Sequence, residues 1–279
     1  MKTGETSTPP VRPKAGIVPA GSSEPHTLGS MGAHAAWPYP QWIAHRGAGK
    51  LAPENTLAAF RLGAAHGYRM FECDAKLSAD GVVFLLHDDT LERTSNGHGL
   101  GGDQPWSALS QLDAGSWHSR SFAGEPLATL EGVVRFCQAN TCGLNIEIKP
   151  TPGLEAQTGR AVAAAAKRLW QDHPGGPPLL TSFKPEALRA AMATAPELPR
   201  GLLLDTLWDG WLDAARSLNC VAIVCSHALW DAALVAVARA NDLRTLAYTV
   251  NDDWAAQRLL DLGLDGIITD RLDLFAPGR

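Results

Sequence analysis

Met70-Phe71-Glu72-Cys73-Asp74-Ala75-Lys76, then Leu77-Ser78-Ala79-Asp80-Gly81, then Val82-Val83-Phe84-Leu85-Leu86-His87, is the stretch on which the fold turns. Two β-rich runs stand five residues apart. A parallel crossover needs a dozen or more residues, so these two runs must pair as an antiparallel hairpin turning at Asp80-Gly81. Around them the chain alternates β-rich and amphipathic helical runs. Further strands are expected at Trp42 to His45, Leu144 to Lys149, Leu179 to Ser182, Gly201 to Leu204, Ala222 to Cys225, Thr245 to Val250 and Gly266 to Thr269. Helices are expected at Asn55 to His66, Thr129 to Gln138, Leu154 to Gln171, Pro185 to Thr194, Trp211 to Leu218, Trp230 to Asn241 and Asp253 to Leu262. Such alternation predicts βαβ units and a mainly parallel sheet. With the hairpin removing one of nine strands, eight remain, the number that closes a TIM (β/α)8 barrel.

Composition agrees with one barrel domain over 41–279. The 279 residues are 45% hydrophobic and 19% charged, a globular profile. A net charge of -5 provides no basic field for nucleic acid, so an anionic substrate has to be met by a local cationic cluster. No run of eighteen apolar residues exists to span a membrane. The five cysteines, an odd number without a CxxC pair, read as reduced thiols in a cytoplasmic protein. Residues 1–40 are rich in Pro, Gly, Ser and Thr and read as a flexible tail without a secretory signal. Residues 90–128 break the alternation with Asn96-Gly97, Gly101-Gly102 and isolated aromatics, and read as an insertion after the third strand that forms a cap or long loop over the catalytic face.

Chemistry gathers at the expected strand ends. Residues two apart on a strand face one side, so Glu72 projects with Asp74, and Glu147 with Lys149. Three hard carboxylates with open positions suit one divalent cation, Mg²⁺ or Ca²⁺. Zinc is disfavoured, because no CxxC, HxH or HExxH arrangement occurs. The same acids could instead form a buried ionic network with Arg46 and Lys149, but two nearby histidines tip the balance toward a metal. The hairpin is expected to bring His87 opposite Glu72 or Asp74, and His45 ends the first strand. One histidine can deprotonate a nucleophile while the other protonates a leaving oxygen. Arg46 offers a permanently charged fork for phosphate. In Pro53-Glu54-Asn55-Thr56, Asn55 is expected to cap the following helix, while Glu54 reaches the site or orients Arg46. Gly47 and Gly49 are expected where backbone approaches closely. Trp208 and Trp211 are candidates for the pocket wall against a packing role, and His227 for its mouth against that of a satisfied loop histidine.

This series of motifs resembles the glycerophosphodiester phosphodiesterase family, more narrowly its short cytosolic bacterial type linked to glycerol phosphate uptake. The resemblance runs in order through His45-Arg46-Gly47, Pro53-Glu54-Asn55-Thr56, Glu72-Cys73-Asp74, Ala79-Asp80-Gly81, His87-Asp88-Asp89-Thr90, Glu147-Ile148-Lys149-Pro150, Tyr248-Thr249-Val250-Asn251 and Asp265-Gly266-Ile267-Ile268-Thr269-Asp270. It implies a barrel of the phospholipase C-like phosphodiesterase type. It further implies His45 and His87 as acid and base, Glu72, Asp74 and Glu147 as metal ligands, and Arg46 and Lys149 as phosphate contacts. The implied reaction releases sn-glycerol 3-phosphate and an alcohol. In it the glycerol 2-hydroxyl attacks phosphorus and water opens the cyclic phosphate, with the histidines exchanging roles. Tyr248 stands where relatives often carry tryptophan. Two other readings compete: a phospholipase D-like or lysophospholipid-cleaving barrel, disfavoured by the odd cysteines and polar tail, and a non-catalytic barrel that binds phosphorylated ligands, disfavoured because no histidine or ligand is lost.

Overall fold

The structure is a computed structural model that describes residues 37–171 and 176–275, together with Met1 and Pro277. The chain enters through β1 (Trp42–Ala44), α1 (Leu57–Ala65), β2 (Met70–Leu77) and β3 (Val83–Leu85), and the insertion that follows holds the short α2 (Trp106–Leu109). Strict alternation then runs through α3 (Leu130–Ala139), β4 (Gly143–Ile148), α4 (Glu155–Trp170), β5 (Leu179–Ser182), α5 (Pro185–Thr194) and β6 (Arg200–Leu204). It ends with α6 (Trp211–Ser217), β7 (Ala222–Ser226), α7 (Ala232–Ala240), β8 (Arg244–Tyr248), α8 (Asp253–Asp261) and β9 (Gly266–Thr269). All strands but β3 pair in parallel in the order β1-β9-β8-β7-β6-β5-β4-β2, and β1 pairs again with β2, which closes the (β/α)8 barrel.

The hairpin forms as the five-residue spacing requires. Ala75 pairs with Leu85, Lys76 with Phe84 and Leu77 with Val83, all antiparallel. β2 therefore has one edge divided between two partners, β1 at its start and β3 at its end. The expected position of His87 needs correction, because the observed register carried two residues further sets it across from Cys73 rather than Glu72 or Asp74. In a continuing strand it would share the outward face of Cys73. The strand instead ends at Leu85 and the chain bends through residues 87–89, returning His87 to the barrel interior.

Each inward row changes character along the strand. Near the strand starts the interior is filled by Ile43, Met70, Leu179, Leu203, Val224, Leu246 and Ile268. Two residues on, the same period of 2 presents His45, Glu72, Thr181, Tyr248 and Asp270. Apolar floor and polar mouth are thus set by alternate positions of one sheet. The outward face packs Phe71 and Ile146 against Phe60, Val133, Val134 and Leu188 of the helix ring, each no more than 1% exposed. Truncating such a phenylalanine costs roughly 3–5 kcal/mol.

The floor includes residues grouped by composition with the tail. Tyr39 is 7% exposed, stacks edge-on with Trp37 at 4.7 Å and donates through its hydroxyl to the Pro177 carbonyl at 2.8 Å. Residues 37–40, expected in the tail, accordingly pack against the barrel; residues 2–36, the rest of the expected tail, lie outside the described residues. The insertion builds its own small core from Leu91, Leu109, Ala114 and Leu127 against Phe84 and Leu86. It braces the β1–α1 loop, with Arg93 on Glu54 and His118 Nε2 3.1 Å from the Lys50 carbonyl. None of residues 90–128 lines the central cavity, and the insertion meets the site's surroundings through Arg93, which binds Asp88 and Glu54.

Candidate active site

At the C-terminal mouth of the barrel, Glu72, Asp74 and Glu147 are 3%, 1% and 8% exposed. One oxygen from each lies within 4.8 Å of the others. Their positions follow from the sheet: Asp74 pairs directly with Glu147 across β2 and β4, and Glu72 precedes Asp74 by one period. Among the described residues this is the one group whose donor atoms could jointly hold a metal ion. Burial, reinforced by the neighbouring carboxylates, pushes Glu72 well above the usual carboxylate range and Glu147 up to about 7. Asp74 goes the other way. Burial opposes its ionisation, but Arg46, Lys149 and the Asn55 amide hold it well below the ordinary value. Three hard oxygen donors, packed and short of positive charge, fit Mg²⁺ or Ca²⁺ by donor chemistry.

The two cations are drawn to the acids. Arg46 bonds Glu54 Oε1 at 2.7 Å, its Nε lies 3.3 Å from Asp74 Oδ2, and its backbone N–H donates to Glu72 Oε2 at 3.0 Å. Its φ of 51° puts a non-glycine residue in the left-handed region, a strain stored where the guanidinium must turn inward. Lys149, just past β4, reaches Glu147 at 3.0 Å and Asp74 at 3.7 Å. Glu54 therefore orients Arg46, and it links it to Arg93 as well.

Asn55 is not the helix cap. Thr56 caps α1 by accepting from the Ala59 N–H at 3.3 Å, because its backbone is extended while that of Asn55, with φ 59°, is left-handed. Asn55 instead clamps Asp74, donating from Nδ2 to Oδ2 at 2.8 Å and accepting the Asp74 N–H at 3.1 Å. Its sequence signal was the residue type, since asparagine tolerates left-handed backbone better than other non-glycine residues.

His45 and His87 flank the acids. His45 Nε2 lies 3.8 Å from Glu72 Oε2, and its Nδ1 lies 2.6 Å from Asp270 Oδ1. His87 Nδ1 lies 2.7 Å from Asp88 Oδ1, and Arg93 grips both oxygens of that carboxylate at 2.6 and 3.0 Å. Burial is the main influence lowering the pKa of His87, with Asp74 opposing and Arg46 and Lys149 assisting. Gly49 has its expected role: a Cβ there would collide with the Asp270 backbone, so only glycine lets the β1–α1 loop close on β9.

The cavity between these groups measures about 170 Å³ and is walled by Phe183, Leu203 and Tyr248. Neither Trp208, Trp211 nor His227 lines it. Trp208 is 39% exposed, and the His227 carbonyl accepts from Arg258. A larger groove of about 680 Å³, between α3 and α4, holds none of the candidate residues.

A family model described as the glycerophosphoryl diester phosphodiesterase family matches residues 45–274. The Bacillus subtilis protein YhdW is 33% identical over 239 residues, 83% of this chain and 94% of that protein. A glycerophosphodiester phosphodiesterase of Caldanaerobacter subterraneus is 32% identical over 233 residues, 82% of this chain and 93% of the relative. Among solved structures, an Oleispira antarctica phosphodiesterase in complex with the product sn-glycerol-3-phosphate aligns with a TM-score of 0.77 at 36% identity, covering 83% of this chain and 93% of that one. With its closed barrel and the shared sequence across nearly all of it, this chain belongs to the glycerophosphoryl diester phosphodiesterase family of hydrolases.

Proposed function

We propose that the protein hydrolyses glycerophosphodiesters to sn-glycerol 3-phosphate and an alcohol, using a divalent cation held by Glu72, Asp74 and Glu147. The observation that carries this reading is the placement of two histidines, each backed by a carboxylate, on a buried acidic trio inside one small cavity. The product bound by the Oleispira relative supports the substrate class. Three carboxylates against Arg46 and Lys149 leave a net charge of -1 when all are ionised, which a divalent ion changes to +1, the complement of a phosphodiester monoanion. When bound, the ion supplies Lewis-acid stabilisation of charge on the phosphoryl oxygens.

The protein's own residues do the rest. Arg46 and Lys149 present their remaining N–H donors to the phosphate. One histidine takes the proton of the attacking hydroxyl as the new P–O bond forms. The other gives a proton to the departing alkoxide as the old P–O bond breaks, and the pair exchange roles when water opens the cyclic phosphate. The cavity of about 170 Å³ falls below the roughly 300–1,000 Å³ of pockets for drug-sized ligands, which favours a compact headgroup over an acyl chain. All five cysteines are unpaired, which favours a reducing, cytoplasmic setting.

Turnover of glycerophosphocholine with added Mg²⁺ or Ca²⁺, lost on chelation and restored by the metal, is the expected result. Turnover of lysophosphatidylcholine alone would refute the substrate assignment. Activity indifferent to chelator would refute the metal.

A further inference from the structure

Two segments have no part in the chemistry proposed above, Thr249-Val250-Asn251 after β8 and Thr269-Asp270 at the end of β9. They meet behind His45. One Asp270 oxygen, Oδ1, lies 2.6 Å from His45 Nδ1. The other, Oδ2, accepts from Asn251 Nδ2 at 2.9 Å, and the Asp270 backbone N–H donates to Asn251 Oδ1 at 2.9 Å. The Asp270 carbonyl accepts from the Lys50 N–H at 3.1 Å. The β1–α1 loop and the ends of β8 and β9 thus hold Asp270, with its carboxylate at the Nδ1 edge of the imidazole.

We propose that Asp270, locked by Asn251, is a positioning residue that fixes the tautomer and orientation of His45. The proposal rests on the reading of His45 as an acid–base group. An ionised carboxylate only accepts, so the ring proton must be on Nδ1, and neutral His45 then turns the lone pair of Nε2 into the cavity. Burial opposes ionisation of Asp270, yet the hydrogen bonds and charge from His45 and Asn251 hold it at about 2, so it is an anion at neutral pH. Asp270 does not line the cavity and touches the chemistry only through His45.

The geometry demands two acceptors at position 270, one for His45 Nδ1–H and one for Asn251 Nδ2–H. A carboxamide has one. In Asp270→Asn, keeping the amide oxygen on His45 would set two NH₂ groups against each other, so the oxygen turns to Asn251 and the NH₂ forces the histidine onto the other tautomer. A buried His–Asp pair changed in this way loses about 10⁴ in kcat in the serine proteases.

The exchange Asn251→Asp with Asp270→Asn separates orientation from mere presence of a charge. Aspartate at 251 accepts both the 270 backbone N–H and the 270 amide NH₂. The amide oxygen is then free for His45 Nδ1–H. Nitrogen NMR of the imidazole reads the tautomer without any turnover, and kinetics on glycerophosphocholine read its consequence. Expected are a His45 Nδ1–H tautomer in the wild type, its loss in D270N, and its return in the exchange variant. D270N should lower kcat by about 10²–10⁴-fold with KM held within about threefold and an unchanged melting temperature, and the exchange should recover at least about tenfold. An unchanged tautomer in D270N, or an exchange variant no better than D270N, overturns the proposal. If the wild type fails to turn over any glycerophosphodiester, the functional reading falls, while the tautomers of the three proteins still decide whether Asp270 sets the ring.

Discussion

The two histidines are backed by carboxylates of opposite character. Asp270, behind His45, comes from the last barrel strand and is held by a neutral amide. Asp88, behind His87, follows its histidine in sequence, and a guanidinium from the insertion occupies both its oxygens. The first carboxylate can devote its charge to the imidazole. The second shares it with a cation, so it orients His87 more than it stabilises His87 in the protonated form. The first environment belongs to the rigid sheet, and the second depends on a bracing element outside the barrel.

Replacing either histidine is the strongest way to probe this contrast. His45→Ala and His87→Ala should each lower kcat by about 10²–10⁴-fold without loss of fold. A p-nitrophenyl ester, which needs no proton on departure, should restore rate in whichever variant lacks the acid for the first step. Equal recovery in both would erase the distinction between them.

Glu147→Gln acts on the acidic trio common to both. Folding raises Glu147 to about 7 from an ordinary 4.5, so the metal-free folded state binds the extra proton between those values. Stability from this group is therefore present below pH 4.5 and declines as pH rises through 7, by at most ~3 kcal/mol. Chemical denaturation of metal-free protein should show a shallower slope in the variant than in the wild type, the remainder coming from Glu72, which burial also raises. Divalent ion should stabilise the wild type more at pH 8 than at pH 5, because protons compete for the ligands.

Arg93→Gln makes the second environment more like the first by returning Asp88 to His87. The His87 titration should move upward by NMR, and kcat should fall about tenfold as Asp88 loses its brace. A rate equal to wild type would show that the brace is dispensable. Thr56→Ala is the smallest and serves as a control: removal of the α1 cap should cost about 1 kcal/mol in urea unfolding while kcat holds.

Much of this arrangement was legible from spacing. The five-residue turn dictates the hairpin, and the period of 2 puts Glu72 with Asp74 and Glu147 with Lys149. What escaped were contacts that depend on a backbone leaving its regular path. His87 reaches the cavity because β3 stops two residues early, and Asn55 reaches Asp74 because its backbone is left-handed, which passes the cap to Thr56. Asp270 occupied the inward row two residues beyond Ile268, but its partner lies 225 positions away, beyond the reach of any local pattern.

That separation sets an order of assembly. Glu72, Asp74 and Glu147 all lie on β2 and β4, which pair directly with one another and precede the last five barrel strands. The carboxylate behind His45 arrives only with β9, the last strand to be synthesised, and the loop that joins it to β1 is the longest and the slowest kind to close. A growing chain can therefore gather its acidic trio long before it has an oriented His45. Chemistry is withheld until the ends of the barrel meet, so the onset of activity during refolding reports ring closure rather than the collapse of β1 to β4.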